Sequence, residues 1–169
     1  MILETERLSL RELTQSDYSA LCRILQDREV MYAYEHVFDD HEVQEWLDKQ
    51  LRRYHDYGFG LWAVILKETG ELIGQCGLTM QECRDKELLE IGYLFQKKYW
   101  HMGYASEAAI ACKNYAFNRL EAEAVYSIIR DSNIPSQRVA GRNGMTMTDQ
   151  FVKHYYNMDM LHYVFEARR

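Results

Sequence analysis

Proline is nearly absent: Pro135 is the only one in 169 residues. No proline-stiffened hinge, Gly/Pro-rich linker, repeat or low-complexity tract divides the chain. One domain spanning residues 1–169 is expected, since domains usually run to about 100–200 residues. Long apolar runs are missing as well. The longest stretches free of Asp, Glu, Lys and Arg, Tyr57 to Leu66 and Leu72 to Gln81, reach ten residues, against the roughly 20 a membrane-spanning helix needs. Glu4, Glu6, Arg7, Arg11 and Glu12 interrupt the apolar segment a secretory signal would require. These features predict a cytoplasmic protein with no membrane partner. Cysteine is sparse: Cys22, Cys76, Cys83 and Cys112 form no CxxC pair and have no histidine at zinc-finger spacing, which predicts reduced, mostly buried thiols and no metal. An excess of basic residues is also lacking. Twenty Lys and Arg face 26 Asp and Glu, a formal net charge of −6, which argues against a nucleic-acid backbone as partner.

What the chain does have is material for a core, at 47% hydrophobic and 13% aromatic residues. Arg7 to Arg11 alternates polar and apolar with the period of a half-buried strand. Thr14 and Asp17 resemble a capping box before an apolar stripe of Tyr18, Leu21, Cys22 and Leu25. A second helix is expected from about Asp39, carrying Val43, Trp46, Leu47, Leu51 and Tyr54 on one face and ending at Gly58 and Gly60. Leu61–Leu66 and Leu72–Leu78 read as a hairpin turning at Gly70, and Leu88–Phe95 as a third strand. A helix over Ala105–Leu120 follows, then a strand over Val125–Ile129. A helix from about Pro135 to Gly144 comes next, and strands near 146–155 and 160–166 close the chain. This order predicts an α+β (mixed α/β) fold, its central sheet mainly antiparallel, with six to seven strands, partly parallel at two crossovers and flanked by about four helices.

The informative segment runs from Leu94 to Ala108, where a strand ends, the chain turns at Gly103 and a helix begins. A helix start offers unpaired N–H groups and the positive end of the dipole, a site for phosphate; a plain strand-to-helix connection is the competing reading. The run Tyr99-Trp100-His101-Met102-Gly103-Tyr104-Ala105-Ser106-Glu107-Ala108 resembles the acetyl-CoA pyrophosphate loop of GNAT-superfamily N-acetyltransferases, in the version of the RimJ/RimL type. Further landmarks follow in the family's order: Thr5-Glu6-Arg7-Leu8, Trp62-Ala63-Val64 through Gly74, Glu90-Ile91-Gly92-Tyr93, and Asn133-x-x-Ser136 ahead of Asn143-Gly144-Met145. The resemblance covers nearly the whole chain. It implies the GNAT fold and acetyl transfer from acetyl-CoA, without a metal, to a primary amine, either a protein N-terminus or a small molecule. The alternative is a non-catalytic GNAT-fold module that binds acyl-CoA. His101 departs from the family, which often has glycine there.

By the same resemblance, main-chain N–H groups of His101, Met102, Gly103, Tyr104, Ala105 and Ser106 take the pyrophosphate, and Leu94, Phe95 and Gln96 pair with the pantetheine amides. Asn133 and Ser136 bond the pantetheine arm and the sulfur, while helix capping is their bland alternative. Lys97 and Lys98 read first as solvated surface. Glu90 is the expected base, or else an exposed strand carboxylate. Ser136 is the expected thiolate partner, because the position where many relatives carry an acidic tyrosine is Ala140 here. The aromatic and acidic stretch Met31–Asp40, with Tyr34, Glu35 and His36, is expected to wall the acceptor site and to favour a cationic amine. The histidines are too scattered for a catalytic or metal cluster. Oligomeric state stays open between monomer and homodimer.

Overall fold

The computed structural model describes residues 1–169. In chain order it comprises β1 (Leu3–Glu4), β2 (Leu8–Arg11), α1 (Tyr18–Leu25), α2 (Asp40–Tyr57), β3 (Leu61–Leu66), β4 (Leu72–Cys83) and β5 (Lys86–Phe95). It continues with α3 (Tyr104–Asn118), β6 (Ala124–Arg130), α4 (Ile134–Arg142), β7 (Thr146–Tyr155) and β8 (Met158–Arg168).

Local chemistry sets most boundaries. Asp39 caps α2, accepting from the Glu42 N–H at 2.8 Å while Glu42 reaches back to the Asp39 N–H, and Gly58 closes the helix at φ +77°. Thr14 and Asp17 do form a capping box, around a 3-10 turn at Gln15–Asp17 that leads into α1. The β3–β4 turn contains Gly70 at φ +73°.

The eight strands form one sheet in the order β1-β2-β3-β4-β5-β6-β8-β7. Every pairing is antiparallel except β5 with β6. Two points differ from expectation. Leu3–Glu4 pairs with Ser9–Leu10 and adds a short edge strand, so the sheet has eight strands. The crossover through α4 creates no second parallel pair, because β8 inserts between β6 and β7.

Helices cover both faces. Ala108, Ala109, Cys112 and Ala116 of α3 are fully buried with Trp62, Ile73, Cys76 and Leu78, and Val139 and Ala140 of α4 join that cluster; small side chains let α3 lie close to the sheet. On the other face Leu21, Ile24 and Leu25 of α1 meet Val43 and Leu47 of α2 over Ala63 and Leu72. The sheet is tightest where β4 crosses the segment before β3: a Cβ on Gly77 would lie 2.0 Å from the Gly60 carbonyl oxygen. Only glycine fits there.

One junction positions the site. β5 and β6 share a single ladder position, Glu90 opposite Tyr126. Beyond it the Ser127 hydroxyl donates to the Ile91 carbonyl at 2.9 Å and the Ile128 N–H to the Glu90 carboxylate at 3.0 Å. Side chains take the place of main-chain rungs, so the strands splay into a wedge.

Candidate active site

Register decides which main chain faces the wedge. The Gln96 N–H donates to the Ile73 carbonyl, and alternation along β5 then turns Leu94 and Gln96 toward β4 while Ile91, Tyr93 and Phe95 turn toward β6. The Ile91 carbonyl is taken by Ser127 and the Phe95 carbonyl by the Trp100 indole N–H at 3.0 Å. The main-chain groups left on this edge are those of Tyr93 and the Phe95 N–H. The expected pantetheine edge Leu94–Gln96 is corrected accordingly: Gln96 is buried and its side-chain amide also donates to the Leu72 carbonyl at 2.7 Å. Leu94 offers its side chain to the cleft, not its amide.

At the mouth of the wedge the chain turns through Trp100–Gly103 into α3. His101 adopts φ +63° and Gly103 φ +82°, so His101 takes the left-handed conformation a glycine would take there and leaves its side chain exposed. The first helical bond runs from the Glu107 N–H to the Gly103 carbonyl. The N–H groups of Tyr104, Ala105 and Ser106 have no acceptor within the chain, an anion-binding arrangement at a helix start. Arg7 braces the loop: it donates to the Met102 carbonyl at 2.9 Å, pairs with Glu107 at 2.7 Å and lies 4.4 Å from the centre of the Tyr104 ring. Glu107 also accepts from the Thr5 hydroxyl and the Arg7 N–H. Burial opposes its ionisation, but those bonds together hold the carboxyl below its ordinary range. Lys97 and Lys98 are engaged by Glu29 and Glu71.

Inside the wedge lies a cleft of about 410 Å³. Glu90, Ser136, Asn133, Leu94 and Tyr34 all line it. Burial raises the Glu90 carboxyl from 4.5 to about 7, against the opposing pull of Lys153, the Ile128 N–H and Arg53. The Asn133 side chain accepts from the Ser136 N–H at 3.3 Å and from the Tyr32 hydroxyl at 2.8 Å, so it caps α4. Ser136 contributes its carbonyl to the Tyr93 hydroxyl at 2.9 Å; its own hydroxyl makes no bond within the chain. Burial, with Glu90 close by, pushes the Tyr34 hydroxyl above its ordinary range.

The expected acceptor wall divides. Tyr34 and Phe38 reach the cleft, whereas Glu35 and His36 do not. Glu35 is turned to Arg130 at 2.7 Å. His36 is paired with Glu42 at 2.7 Å and stacked on Tyr156 with ring centres 4.4 Å apart. The residues that line the cleft without having been anticipated include Trp46, Lys49 and Arg53 from α2, Tyr93 from β5, and Lys153 and Tyr155 from β7. The i, i+3, i+7 spacing of Trp46, Lys49 and Arg53 was a usable signal on α2. No group of three His, Cys, Asp or Glu side chains is placed to hold a metal ion.

Splayed strands, a glycine turn and an open helix start are the features by which an acetyltransferase of the GNAT class is built. Residues 7–146 match the family model for the acetyltransferase (GNAT) domain, and the chain belongs to that family. Among relatives, the uncharacterized protein YkkB of Bacillus subtilis is 38% identical over 144 residues, 85% of this chain and 84% of YkkB. A GNAT-family acetyltransferase from Bacillus anthracis has the same fold, with a TM-score of 0.83 at 27% identity over 99% of this chain and 98% of that one. RimL, a ribosomal L7/L12 α-N-protein acetyltransferase solved with coenzyme A, superposes with a TM-score of 0.82 at 17% identity, covering 99% and 97%. That identity speaks for the fold alone.

Proposed function

We propose that this protein transfers an acetyl group from acetyl-CoA directly to a primary amine in the cytoplasm, in the manner of the RimJ/RimL-type enzymes it resembles. The observation that carries the reading is a single wedge with a carboxylate and an unbonded serine hydroxyl on its walls and the unpaired N–H groups of the loop and first turn of α3 at its mouth. These residues fit the donor. The Tyr104–Ser106 amides and the α3 dipole suit a pyrophosphate, and the Tyr93 and Phe95 main chain suits an extended amide-bearing arm added as a strand would be. RimL, which shares the fold, was solved with coenzyme A, and this supports the donor.

Acetyl transfer to nitrogen needs a neutral amine and an exit for the thiolate. A protein α-amine has a pKa near 8 and a lysine side chain about 10.4, so Glu90, raised to about 7, is well matched to take a proton from the first. The Ser136 hydroxyl is too weak an acid to protonate a thiolate outright, and it donates a hydrogen bond to the departing sulfur instead. Ala140 is buried and offers no hydroxyl.

The reading is tested by incubating pure protein with acetyl-CoA and a panel of amines and following free thiol release, with CoA-induced thermal stabilisation read in parallel. Thiol release that depends on an amine is expected. CoA binding without turnover of any amine would favour a non-catalytic acyl-CoA-binding module, and the absence of both signals would overturn the reading.

A further inference from the structure

The chain as a whole is acidic, at −6, yet the charged side chains lining its cleft are Lys49, Arg53, Arg130, Lys153 and the single carboxylate Glu90. Arg130 is neutralised by Glu35 at 2.7 Å. Lys49, Arg53 and Lys153 form no ion pair at all, and the one side-chain bond among them is from the Arg53 guanidinium to the Gln50 side-chain oxygen Oε1 at 3.2 Å.

Their placement is not incidental to the helices and strands that carry them. Lys49 and Arg53 are one turn apart on α2, and Lys153 comes from β7, about 100 residues away in sequence. Burial and the neighbouring Arg53, Arg52 and Lys153 hold the Lys49 ammonium below its ordinary range, so these charges feel one another. Arg53 and Lys153 are half-buried and Lys49 is exposed at the rim, and like charges gathered in a concavity repel one another in the unliganded fold. Glu90 cannot balance them, being a single carboxyl raised to about 7. A counter-charge from outside the chain answers the arrangement.

The donor's phosphates are not that counter-charge on the proposed reading. Lys153 is within electrostatic reach of Glu90 and of Cys83, near the β4–β5 turn. On β5 that end is marked by Leu88, opposite Gln81, while Phe95 lies toward α3; the seven residue steps from one to the other span about 23 Å. The cations lie behind Glu90 as viewed from the mouth, where the acceptor belongs.

We propose that the acyl acceptor is a primary amine that also bears an anionic group, a carboxylate or a phosphate, seated against Lys49, Arg53 and Lys153 while the amine faces Glu90. The proposal rests on the acetyltransferase reading and reverses the expectation, drawn from the aromatic and acidic stretch Met31–Asp40, of a cationic acceptor. Glu35 and His36 are consumed by Arg130 and Glu42; the cleft's own lining carries the opposite sign.

The experiment compares matched acceptors that differ in the anion alone: lysine with cadaverine, tyrosine with tyramine, β-alanine with ethylamine, and phosphoethanolamine with ethanolamine, with spermidine as a polycationic control. The anionic member of a pair is expected to show a kcat/KM about tenfold or more above its partner, the carboxylate and phosphate pairs telling which anion the site takes. Lys49→Met, Arg53→Met and Lys153→Met should each raise KM for the anionic member about tenfold while KM for acetyl-CoA stays unchanged. Preference for the neutral or polycationic amines, or equal KM effects on both members of a pair, overturns the proposal. Independently of turnover, succinate and inorganic phosphate are titrated into the CoA-saturated protein. Saturable thermal stabilisation that the three variants lose supports the cation site, and none, or stabilisation the variants retain, overturns it. Failure of CoA itself to stabilise the protein strikes the donor reading instead, and the anion titration on the free protein still decides the cluster.

Discussion

Replacing Glu90 by glutamine separates the electrostatic role of this carboxyl from its shape. Glutamine keeps an oxygen to accept from the Ile128 N–H, which lies 3.0 Å from the carboxylate, and removes the charge. Burial raises the carboxyl from 4.5 to about 7, which at about 1.36 kcal/mol per pH unit corresponds to about 3 kcal/mol. Because the folded chain holds this proton more tightly than the unfolded one, the associated stability is complete below 4.5 and is lost as pH rises through 7. Since Glu90 opens onto the cleft, solvent trims the effect, and a gain of about 1–3 kcal/mol for Glu90→Gln is expected at about pH 8.5, shrinking to near zero at about pH 4.5. Urea unfolding at several pH values measures it. In the same variant acetyl transfer should fall by about a hundredfold or more, while wild-type kcat/KM should climb as pH passes through about 7, where Glu90 loses its proton. A variant no more stable than wild type at high pH would refute the buried-carboxyl reasoning. Activity within about threefold of wild type would remove Glu90 from the proton path.

Ser136→Ala should lower turnover by about tenfold or more while leaving CoA-induced stabilisation intact; unchanged turnover removes the hydroxyl from the mechanism. Gly77→Ala puts a methyl 2.0 Å from the Gly60 carbonyl oxygen and should cost about 3 kcal/mol or more in urea unfolding, with a wild-type midpoint contradicting the close approach. Arg7→Ala removes the brace between Met102 and Glu107; a loss of about 1–3 kcal/mol is expected, along with weaker CoA binding in a thermal shift. Asn133→Ala deletes the α4 cap and the Tyr32 contact and should cost about 1 kcal/mol, read by thermal melting.

Much of the architecture was legible because its causes are local. The start of α2 at Asp39, Gly58 in the left-handed region and the Gly70 turn each act within a few residues, so a reading of neighbours finds them. The helix start at Gly103 and the strand position of Glu90 were legible for the same reason. Other elements depend on partners far along the chain. Leu3–Glu4 becomes a strand because Ser9 and Leu10 are there to pair with it. The polar run Thr79–Cys83 extends β4 because β5 supplies its hydrogen bonds as far as Lys86.

The site divides in the same way. Residue type and spacing alone determined the mixed order of strands and helices, with a helix start at Gly103 and Glu90 on the strand before it, since caps, turns and periodicity are properties of short segments. Only tertiary structure decided which amides of β5 remain free, because that follows from its register against β4. Only tertiary structure turned Glu35 and His36 away from the cleft and brought Lys49, Arg53 and Lys153 into it. Helical spacing puts Lys49 and Arg53 on one face of α2, but that this face meets Lys153 of β7 across the cleft depends on distances through space that no local pattern encodes.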